Sequence, residues 1–308
     1  MLRLETLAPA KVNLVLRVGR LRADGYHDIE SLMVPVDLAD RVEVRVFPGR
    51  EGPVTCRCPG RPDLDGPENV AARAAEAFRR RFGISDRIDL RVEKRIPVTA
   101  GLGGGSSDAA AVLRCLARAY RVPDARGLAA TGLEVGSDVP FFLGPGAAWV
   151  SGRGERLRPA RVPPLHLLLA HPRDPALAIR AGDAYRWLDE ARPGPAPAAP
   201  RRPARPFRAA DLSNDLEAAC FRRYPTLHVI RGRLEAHGAT GVIMSGSGPT
   251  VFGLFESRSA ARAAMPAMTE RDRGEAVDAF LVRTLRRQPE VSSWKSPRSA
   301  SSRSTRRS

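Results

Sequence analysis

The segment from Arg95 to Leu113 constrains the fold of this chain more than any other, because it joins a strand, a glycine loop and a helix. Before it, Ile88, Leu90 and Val92 alternate with charged residues, which is typical of a strand with one buried face. Four glycines follow at positions 101 and 103–105. An alanine-rich helix comes next, and its start is marked by Ser106, Ser107 and Asp108.

This order of elements predicts a phosphate-binding loop. Glycine tolerates positive φ and a close approach of the backbone to an anion, and serine can cap the helix. The free N–H groups of the first helical turn then face the ligand. The less specific alternative is a glycine-rich turn that only connects strand to helix.

The loop matches neither of the two common phosphate-binding motifs. A Walker A loop has Lys after its last glycine, and this loop has Ser106 there. A Rossmann fingerprint has a third glycine three residues after the second, and counting from Gly101 and Gly103 that position is again Ser106. The loop therefore needs a cation from elsewhere in the chain for phosphoryl transfer.

Lysine is rare in this chain, and its rarity identifies a candidate for that cation. Of 50 basic residues only Lys11, Lys94 and Lys295 are lysine, so a retained lysine suggests a need for a compact point charge. Lys11 and Asn13 alternate with apolar residues and share one face of a strand. We take Lys11 as a candidate site residue, with a surface lysine as the alternative.

Three further features are candidates, and the residues alone leave each open. Asp138 lies in a tight turn between apolar residues and is either a general base or a helix cap. Tyr26 and His27 follow a glycine turn and could stack on or hydrogen-bond a base or sugar, or merely form the turn. The loop that contains Ser247 and Gly248 could bind phosphate as a backbone nest, although spacing alone slightly favours a hairpin turn.

Length and composition indicate a globular protein of two domains. The 308 residues are 43% hydrophobic, no apolar run has the length of a membrane span, and no targeting peptide is recognisable. The cysteines lack metal-site spacing, which predicts free thiols in a reducing cytoplasm; they are Cys56, Cys58, Cys115 and Cys220.

The net charge of +16 first suggests a nucleic-acid partner, but its distribution argues against one. Residues 192–208 carry +5 with six prolines, and residues 286–308 carry +6 in a stretch of mostly Ser and Arg, so together they hold eleven of the sixteen charges. Both compositions predict disorder. We therefore expect no specific nucleic-acid partner and no membrane association.

Strands and helices are mixed along the chain, which predicts the α+β class in two layers. We predict an N-terminal domain over 1–160 that holds the glycine loop and a second domain over 161–286. The Pro/Arg-rich segment 192–208 is then an insertion in the second domain, and 287–308 a disordered basic tail. The predicted elements before residue 160 are strands at 1–18 (interrupted near Pro9), 29–37, 41–47, 54–58 and 88–94, helices at 68–82, 106–120 and 124–133, and a hairpin at 147–158.

Three segments resemble, in order, the three motifs of the GHMP small-molecule kinase superfamily. They are PAKVNL at 9–14, PVTAGLGGGSSDAAA at 97–111 and GVIMSGSGPTVF at 241–252. The longer string 9–33, GSDVPFFL at 136–143 and NDLE at 214–217 are similar to one branch, whose alcohol substrate carries a cytidine diphosphate group. The resemblance covers residues 6–284, and no counterpart is recognised for the tail after 286.

The resemblance implies a fold and a set of roles. The fold would pair a ribosomal-S5-domain-2-like N-terminal domain with a ferredoxin-like C-terminal domain, with the site between them. ATP would be the donor and Mg²⁺ its helper, and a small molecule the acceptor. Asp138 would activate the acceptor hydroxyl, and Lys11 would steady Asp138 and the developing charge. Ser247 and Gly248 would lie near the site.

The resemblance also assigns the binding residues. Asn13, Tyr26 and His27 would hold the substrate, with Tyr26 stacked on cytosine and His27 at the edge of the base. The ATP phosphates would be wrapped by the donor loop, which consists of Pro97, Val98, Thr99, Ala100, Gly101, Leu102, Gly103, Gly104, Gly105, Ser106 and Ser107. The pattern departs at 179–185, where the usual Ser-Thr pair is missing and a contribution from Tyr185 is left open. We expect a monomeric or weakly dimeric cytoplasmic enzyme.

Overall fold

A computed structural model describes residues 1–192, 194, 196, 207–269 and 276–293. The strands are β1 (Leu2–Leu21), β2 (His27–Glu51), β3 (Val54–Arg57), β4 (Asp86–Glu93), β5 (Ala148–Gly152), β6 (Arg156–Pro159), β7 (His166–Pro172), β8 (Ser213–Asn214), β9 (Gly241–Met244), β10 (Val251–Phe255), β11 (Val277–Arg283) and β12 (Ser292–Ser293). The helices are α1 (Val70–Phe82), α2 (Gly104–Ala119), α3 (Ala125–Val135), α4 (Val139–Leu143), α5 (Ala181–Ala191), α6 (Glu217–Arg223), α7 (Thr226–Ala236) and α8 (Arg258–Thr269). Short 3₁₀ turns lie at 62–64, 175–177 and 209–211.

The first sheet is built on two long antiparallel strands, β1 and β2. Their register runs from Leu2 opposite Val46 to Leu21 opposite His27, and the sheet continues in the order β12-β1-β2-β4-β3. β5 pairs with β2, β6 pairs with β5, and β8 pairs in parallel with β1. The interruption expected near Pro9 is a shift of register between Pro9 and Lys11, because proline has no N–H to donate to the ladder.

Helices α1 and α2 cover one face of this sheet. Their alanines allow close packing of the two helices, and Phe78, Leu113 and Leu116 fill the core against Val44 and Ile88. The Asn69 side chain caps α1 by accepting a hydrogen bond from the N–H of Ala71.

The second sheet has the order β11-β7-β10-β9, with all neighbours antiparallel. The apolar run of β7 is buried on both faces, as expected for a strand covered on each side. A separate core joins the two sheets, with Val12 and Leu14 of β1 in one cluster with Leu167, Leu169 and Phe252. The α+β class is confirmed. Strand β1 contributes both to the core under α1 and α2 and to the core between the two sheets.

Two local predictions are wrong. Helix α2 begins at Gly104, not at Ser106, and its N-cap is Gly103 in the left-handed conformation, without a capping side chain among the described residues. A serine cap needs extended backbone, which the tight turn at Gly103 does not allow. The tail was predicted to be disordered from 287, but residues 287–293 are described, and Ser292–Ser293 pairs with Glu5 and Leu4 of β1.

Other predictions on the tail and the insertion lie outside the described residues, namely those for 294–308 and for most of 192–208. The domain limits at 160 and 286 stay predictions. Among the described helices, none combines the length and the apolar character needed to cross a bilayer.

Candidate active site

Lys11 is held at the centre of the site by β1. It is buried, and its backbone N–H donates to the carbonyl of Leu102 in the donor loop at 2.9 Å. Its Nζ lies 2.5 Å from Oδ1 of Asn13 and 3.7 Å from Oδ2 of Asp138. Burial lowers the pKa of Lys11, and the charge of Asp138 opposes that shift.

Asn13 is oriented in turn by a short chain of hydrogen bonds. Its Nδ2 donates to Oγ of Ser31 at 2.8 Å, and that hydroxyl donates to the carbonyl of Val15 at 2.7 Å. With its amide nitrogen committed to Ser31, the amide oxygen faces Lys11. Lys11 and Asn13 therefore share a face, as the strand alternation predicted.

Asp138 stands at the N-terminus of the short helix α4. Within the described chain its side chain makes no capping hydrogen bond, so the helix-cap alternative is not supported. The side chain is 30% exposed and faces the same cavity as Lys11. The absence of a side chain at Gly154 lets the neighbouring hairpin approach this turn closely, because an added Cβ there would lie only 2.7 Å from the carbonyl oxygen of Ser137.

The donor loop requires glycine at two positions that touch other parts of the site. Gly101 has φ +74°, and an added Cβ would overlap with the carbonyl oxygen of Ser245. Gly103 has φ +69°, and an added Cβ would lie 3.1 Å from Cγ of Lys11 and 3.0 Å from the ring of Phe142. Close packing, as well as backbone conformation, therefore explains these glycines.

The third motif forms the hairpin between β9 and β10. The Ser245 N–H donates to the carbonyl of Thr250, and the Gly248 N–H donates to that of Ser245. Ser247 lines the cavity with Lys11 and Asp138, whereas Gly248 lies against Gly101. The hairpin alternative describes its backbone correctly, and the same hairpin forms a wall of the site.

Asn214 supports that hairpin from β8. Its Nδ2 donates to the carbonyls of Met244 and Gly246, both at 2.8 Å, and its Oδ1 accepts from the N–H of Leu216. Glu217 accepts from the N–H of Met244 at 2.7 Å. Two residues of the NDLE string thus hydrogen-bond the backbone of the third motif, and Asn214 and Met244 are 30 residues apart in the sequence.

One cavity, of about 670 Å³, contains Lys11, Asn13, Asp138 and Ser247. A second, of about 410 Å³, lies across the donor loop and is lined by every residue from Pro97 to Ser106 except the buried Leu102. Ser107 is also buried and does not line it. Thr99, Gly101, Gly103 and Ser106 face both cavities, so the loop separates them.

The far wall of the larger cavity is aromatic. His27 is buried and stacks on Tyr185 with ring centroids 5.1 Å apart and planes 20° apart. Its Nε2 lies 3.0 Å from Oδ2 of Asp189. Tyr26 is 48% exposed, and the guanidinium carbon of Arg153 lies 5.1 Å from its ring centroid.

Comparison with known proteins identifies the family. Residues 69–146 match the GHMP kinase N-terminal domain, and residues 197–273 match the GHMP kinase C-terminal domain. A protein of Anaeromyxobacter dehalogenans (strain 2CP-C) named 4-diphosphocytidyl-2-C-methyl-D-erythritol kinase is 67% identical, covering 100% of this chain and 99% of that protein. A protein of the same name from Deinococcus radiodurans is 42% identical over 90% of this chain and 92% of its own length.

The chain belongs to the GHMP kinases, in the branch of the 4-diphosphocytidyl-2-C-methyl-D-erythritol kinases. ATP is the phosphate donor of the GHMP kinases. The prediction that the tail after 286 has no family counterpart is wrong, because the match to the Anaeromyxobacter dehalogenans protein covers the whole of this chain.

Solved structures agree with this GHMP kinase assignment. A crystal structure of 4-(cytidine 5'-diphospho)-2C-methyl-D-erythritol kinase has a TM-score of 0.72 at 36% identity, covering 91% of this chain and 99% of that one. A homoserine kinase from Cytophaga hutchinsonii has a TM-score of 0.71 at 19% identity, covering 94% and 97%, which shows the shared fold alone. The predicted two-domain GHMP kinase fold is confirmed.

Sequence reasoning missed part of the GHMP kinase site. No motif of the sequence indicates Asp189 or Arg153, and the pattern at 179–185 does not decide the role of Tyr185, yet all three line the larger cavity. A usable signal was the position of Tyr185 and Asp189 one helical turn apart on α5, which places them on one face. The three motifs meet at Lys11, which contacts Leu102 of the donor loop and lies beside Gly246 of the third motif.

Proposed function

We propose that this protein transfers the γ-phosphoryl group of ATP to the 2-hydroxyl of 4-diphosphocytidyl-2-C-methyl-D-erythritol. The products are the 2-phosphate and ADP, and the step belongs to the non-mevalonate pathway of isoprenoid precursor synthesis. The names of the relatives supply the substrate, and the site supplies the chemistry.

The observation that carries the proposal is the position of Lys11 and Asp138 beside a glycine loop that separates two cavities. A kinase needs a donor side and an acceptor side that meet at the transferred group. The smaller cavity, at the start of α2, suits the donor because helical N–H groups and glycine backbone attract phosphate. The larger cavity then takes the acceptor.

The proposed chemical step uses one carboxylate and one ammonium. Asp138 takes the proton of the acceptor hydroxyl while that oxygen forms a bond to the γ-phosphorus, and the bond from this phosphorus to the β,γ-bridging oxygen breaks to release ADP. Lys11 would place its ammonium 3.7 Å from Asp138 and next to the loop, with the charge of Asp138 opposing the lowering of the Lys11 pKa by burial. Its buried ammonium acts in a low-dielectric environment, where its effect on developing charge is larger than in water.

The acceptor cavity suits a base linked to a charged group. Tyr26 offers an exposed ring for stacking, and His27, fixed by Tyr185 and Asp189, can present its edge to a cytosine. The guanidinium of Arg153 adds positive charge on that side of the cavity. Asn13 presents its amide to the region of the reacting hydroxyl.

The residues also fit Mg²⁺ as the helper of ATP. Within the described chain no group of three or more His, Cys, Asp or Glu side chains could form a metal cage. Mg²⁺ in kinases is usually held by phosphate oxygens, water and one or two carboxylates, and Asp138 is the carboxylate available beside Lys11. Bound there, the ion would neutralise charge on the transferred phosphoryl group.

We further propose a cytoplasmic enzyme that acts as a monomer or weak homodimer, with a small molecule and no nucleic acid as its partner. The four cysteines are free and buried, which suits a reducing compartment.

The test is an ADP-release assay with ATP and four alcohols in parallel. We expect turnover with 4-diphosphocytidyl-2-C-methyl-D-erythritol and none with homoserine, mevalonate or galactose. Turnover with one of the other three alone would contradict the substrate and leave the kinase chemistry standing. Phosphorus NMR of the product identifies the phosphorylated hydroxyl.

A further inference from the structure

A second buried lysine, Lys94, lies under the donor loop. Its Nζ is 2.5 Å from Oδ2 of Asp40 and 2.6 Å from Oδ2 of Asp108. The side chains of Lys94, Asp40 and Asp108 are only 9%, 0% and 4% exposed. Lys94 is one of three lysines in a chain that otherwise uses arginine, and the catalytic step does not involve it.

These three residues, which we call the Lys94 network, connect both ends of the loop. The other oxygen of Asp40, Oδ1, accepts hydrogen bonds from the N–H groups of Arg95 and Ile96, at 2.5 and 2.9 Å, where the chain leaves β4. Asp108 lies on the second turn of α2, where the loop ends. An added Cβ on Gly104 would be 3.5 Å from Nζ of Lys94, so the ammonium is directly below the first residue of the helix.

The network also borders the donor cavity, since Lys94 and Asp108 both line it. With both carboxylates ionised, the network would carry a net charge of −1 beside the phosphates of the donor. With a proton on Asp108, it would be neutral. The charge state of Asp108 therefore sets whether the floor of this cavity repels a phosphate group.

The surroundings of Asp108 favour the proton. In the described part of the chain its Oδ1 is buried and accepts no hydrogen bond. Burial raises the pKa of Asp108 to about 8, Asp40 adds to the shift, and Lys94 opposes it. Lys94 itself has a raised pKa, because the charges of its two partners outweigh its burial.

Other ionisable groups lie around this region. Cys56 of β3 and Cys58 beyond it have thiols whose pKa is raised, first by burial, with a smaller contribution from the charge of Asp108. Asp65 accepts from the N–H of Cys58 and lines the cavity. The buried residues of α1 and α4 are apolar, and β1 contributes Lys11 on the far side of Gly103.

We propose that the Lys94 network positions the donor loop and that the loop binds the phosphates of its donor well only when Asp108 is protonated. Asp40 fixes the entry to the loop, Asp108 fixes the exit, and Lys94 joins them. The three are positioning residues that act through the loop. This inference rests on the proposed function only in taking the loop as the site of the donor phosphates.

The test measures the Kd of ADP by calorimetry from pH 7 to pH 9 without any acceptor, so it does not depend on which alcohol is phosphorylated. If only the protonated form binds and the midpoint is near pH 8, the wild-type Kd should rise about tenfold over this range. Asp108→Asn keeps the shape of the side chain and removes the ionisation. We expect its Kd to be nearly constant with pH and lower than that of the wild type at pH 9.

Asp63→Asn is the matched control, because Asp63 lines the same cavity and pairs with Arg61 outside the network. It should keep the wild-type pH dependence. An equal rise in Kd for the wild type and Asp108→Asn, or no rise in either, would overturn the proposal.

A second measurement needs no variant. Adenosine has no phosphate, so its Kd for the wild-type protein should not change between pH 7 and pH 9. An equal loss of adenosine and ADP binding at pH 9 would contradict the proposal. If these results hold while the alcohol assay gives no turnover, the network stands and only the proposed function fails.

Discussion

The Oγ of Ser245 donates a hydrogen bond of 3.0 Å to the carbonyl oxygen of Gly101, across 144 residues of sequence. This contact joins the third motif to the donor loop. It is possible only because Gly101 has no side chain, since a Cβ at that position would overlap with the backbone of Ser245. The two loops therefore form one wall of the site.

Gly101→Ala should separate the two loops. We expect a loss of stability of about 2–4 kcal/mol from the left-handed φ and the overlap together, and weaker ADP binding. Gly49→Ala is the control, because Gly49 has φ +72° and nothing within 4 Å of an added Cβ. It should lose about 1 kcal/mol and bind ADP normally. Thermal unfolding and calorimetry measure both effects, and equal effects in the two variants would rule out the packing argument.

Asp138→Asn should remove the proposed base and keep the fold. We expect kcat to fall about 10²- to 10⁴-fold, because an amide cannot take the proton of the hydroxyl. Binding of ATP should persist, since the donor loop is unchanged. Steady-state kinetics and calorimetry measure the two quantities. A kcat close to that of the wild type would show that Asp138 is not the base.

Tyr185→Leu should weaken the binding of the acceptor and leave the binding of ATP unchanged. Without the stacked ring, His27 loses one of its two fixed partners, and a loss of about 0.5–1.5 kcal/mol corresponds to a 2- to 10-fold higher KM for the acceptor. The KM for ATP should stay constant. Tyr185→Phe keeps the ring and should behave like the wild type. A parallel change of both KM values in Tyr185→Leu would indicate general damage instead.

Asn214→Ala should destabilise the hairpin of the third motif. It leaves the buried carbonyls of Met244 and Gly246 without their donor, which should cost about 2–4 kcal/mol of unfolding free energy. The neighbour Ser213 is the control, because its buried hydroxyl has no hydrogen-bond partner among the described residues. Ser213→Ala should not lower the free energy of unfolding measured in urea, because the removed hydroxyl has no hydrogen bond to lose. Equal losses in both variants would contradict this account of Asn214.

The sequence was most informative where a requirement was local. A glycine loop without its own lysine, in a chain with only three lysines, led to Lys11, and the structure places Lys11 against Gly103. The strand alternation also predicted that Lys11 and Asn13 share a face, and Nζ of Lys11 lies 2.5 Å from Oδ1 of Asn13. These inferences depend on composition and on the two-residue period of a strand, both visible in the sequence.

The aromatic wall of the larger cavity was less predictable, because its residues come from separate elements. His27 and Asp189 are 162 residues apart, and their contact depends on how α5 packs beside β2. No local pattern gives that packing. The cap of α2 was predicted wrongly for a related reason. Serines near a helix start usually cap it, but here the chain turns at Gly103, where Phe142 and Lys11 leave little room for a side chain.

The pairing of β1 with β8 and β12 has a consequence for synthesis on the ribosome. The first strand to emerge keeps open hydrogen-bonding groups until residues 213–214 and 292–293 have followed it. Lys11 meets the hairpin of the third motif only after that hairpin has also been made. The nascent chain therefore carries an incomplete first sheet until residues 292–293 have been made, and the site around Lys11 cannot close before the third motif has been synthesised.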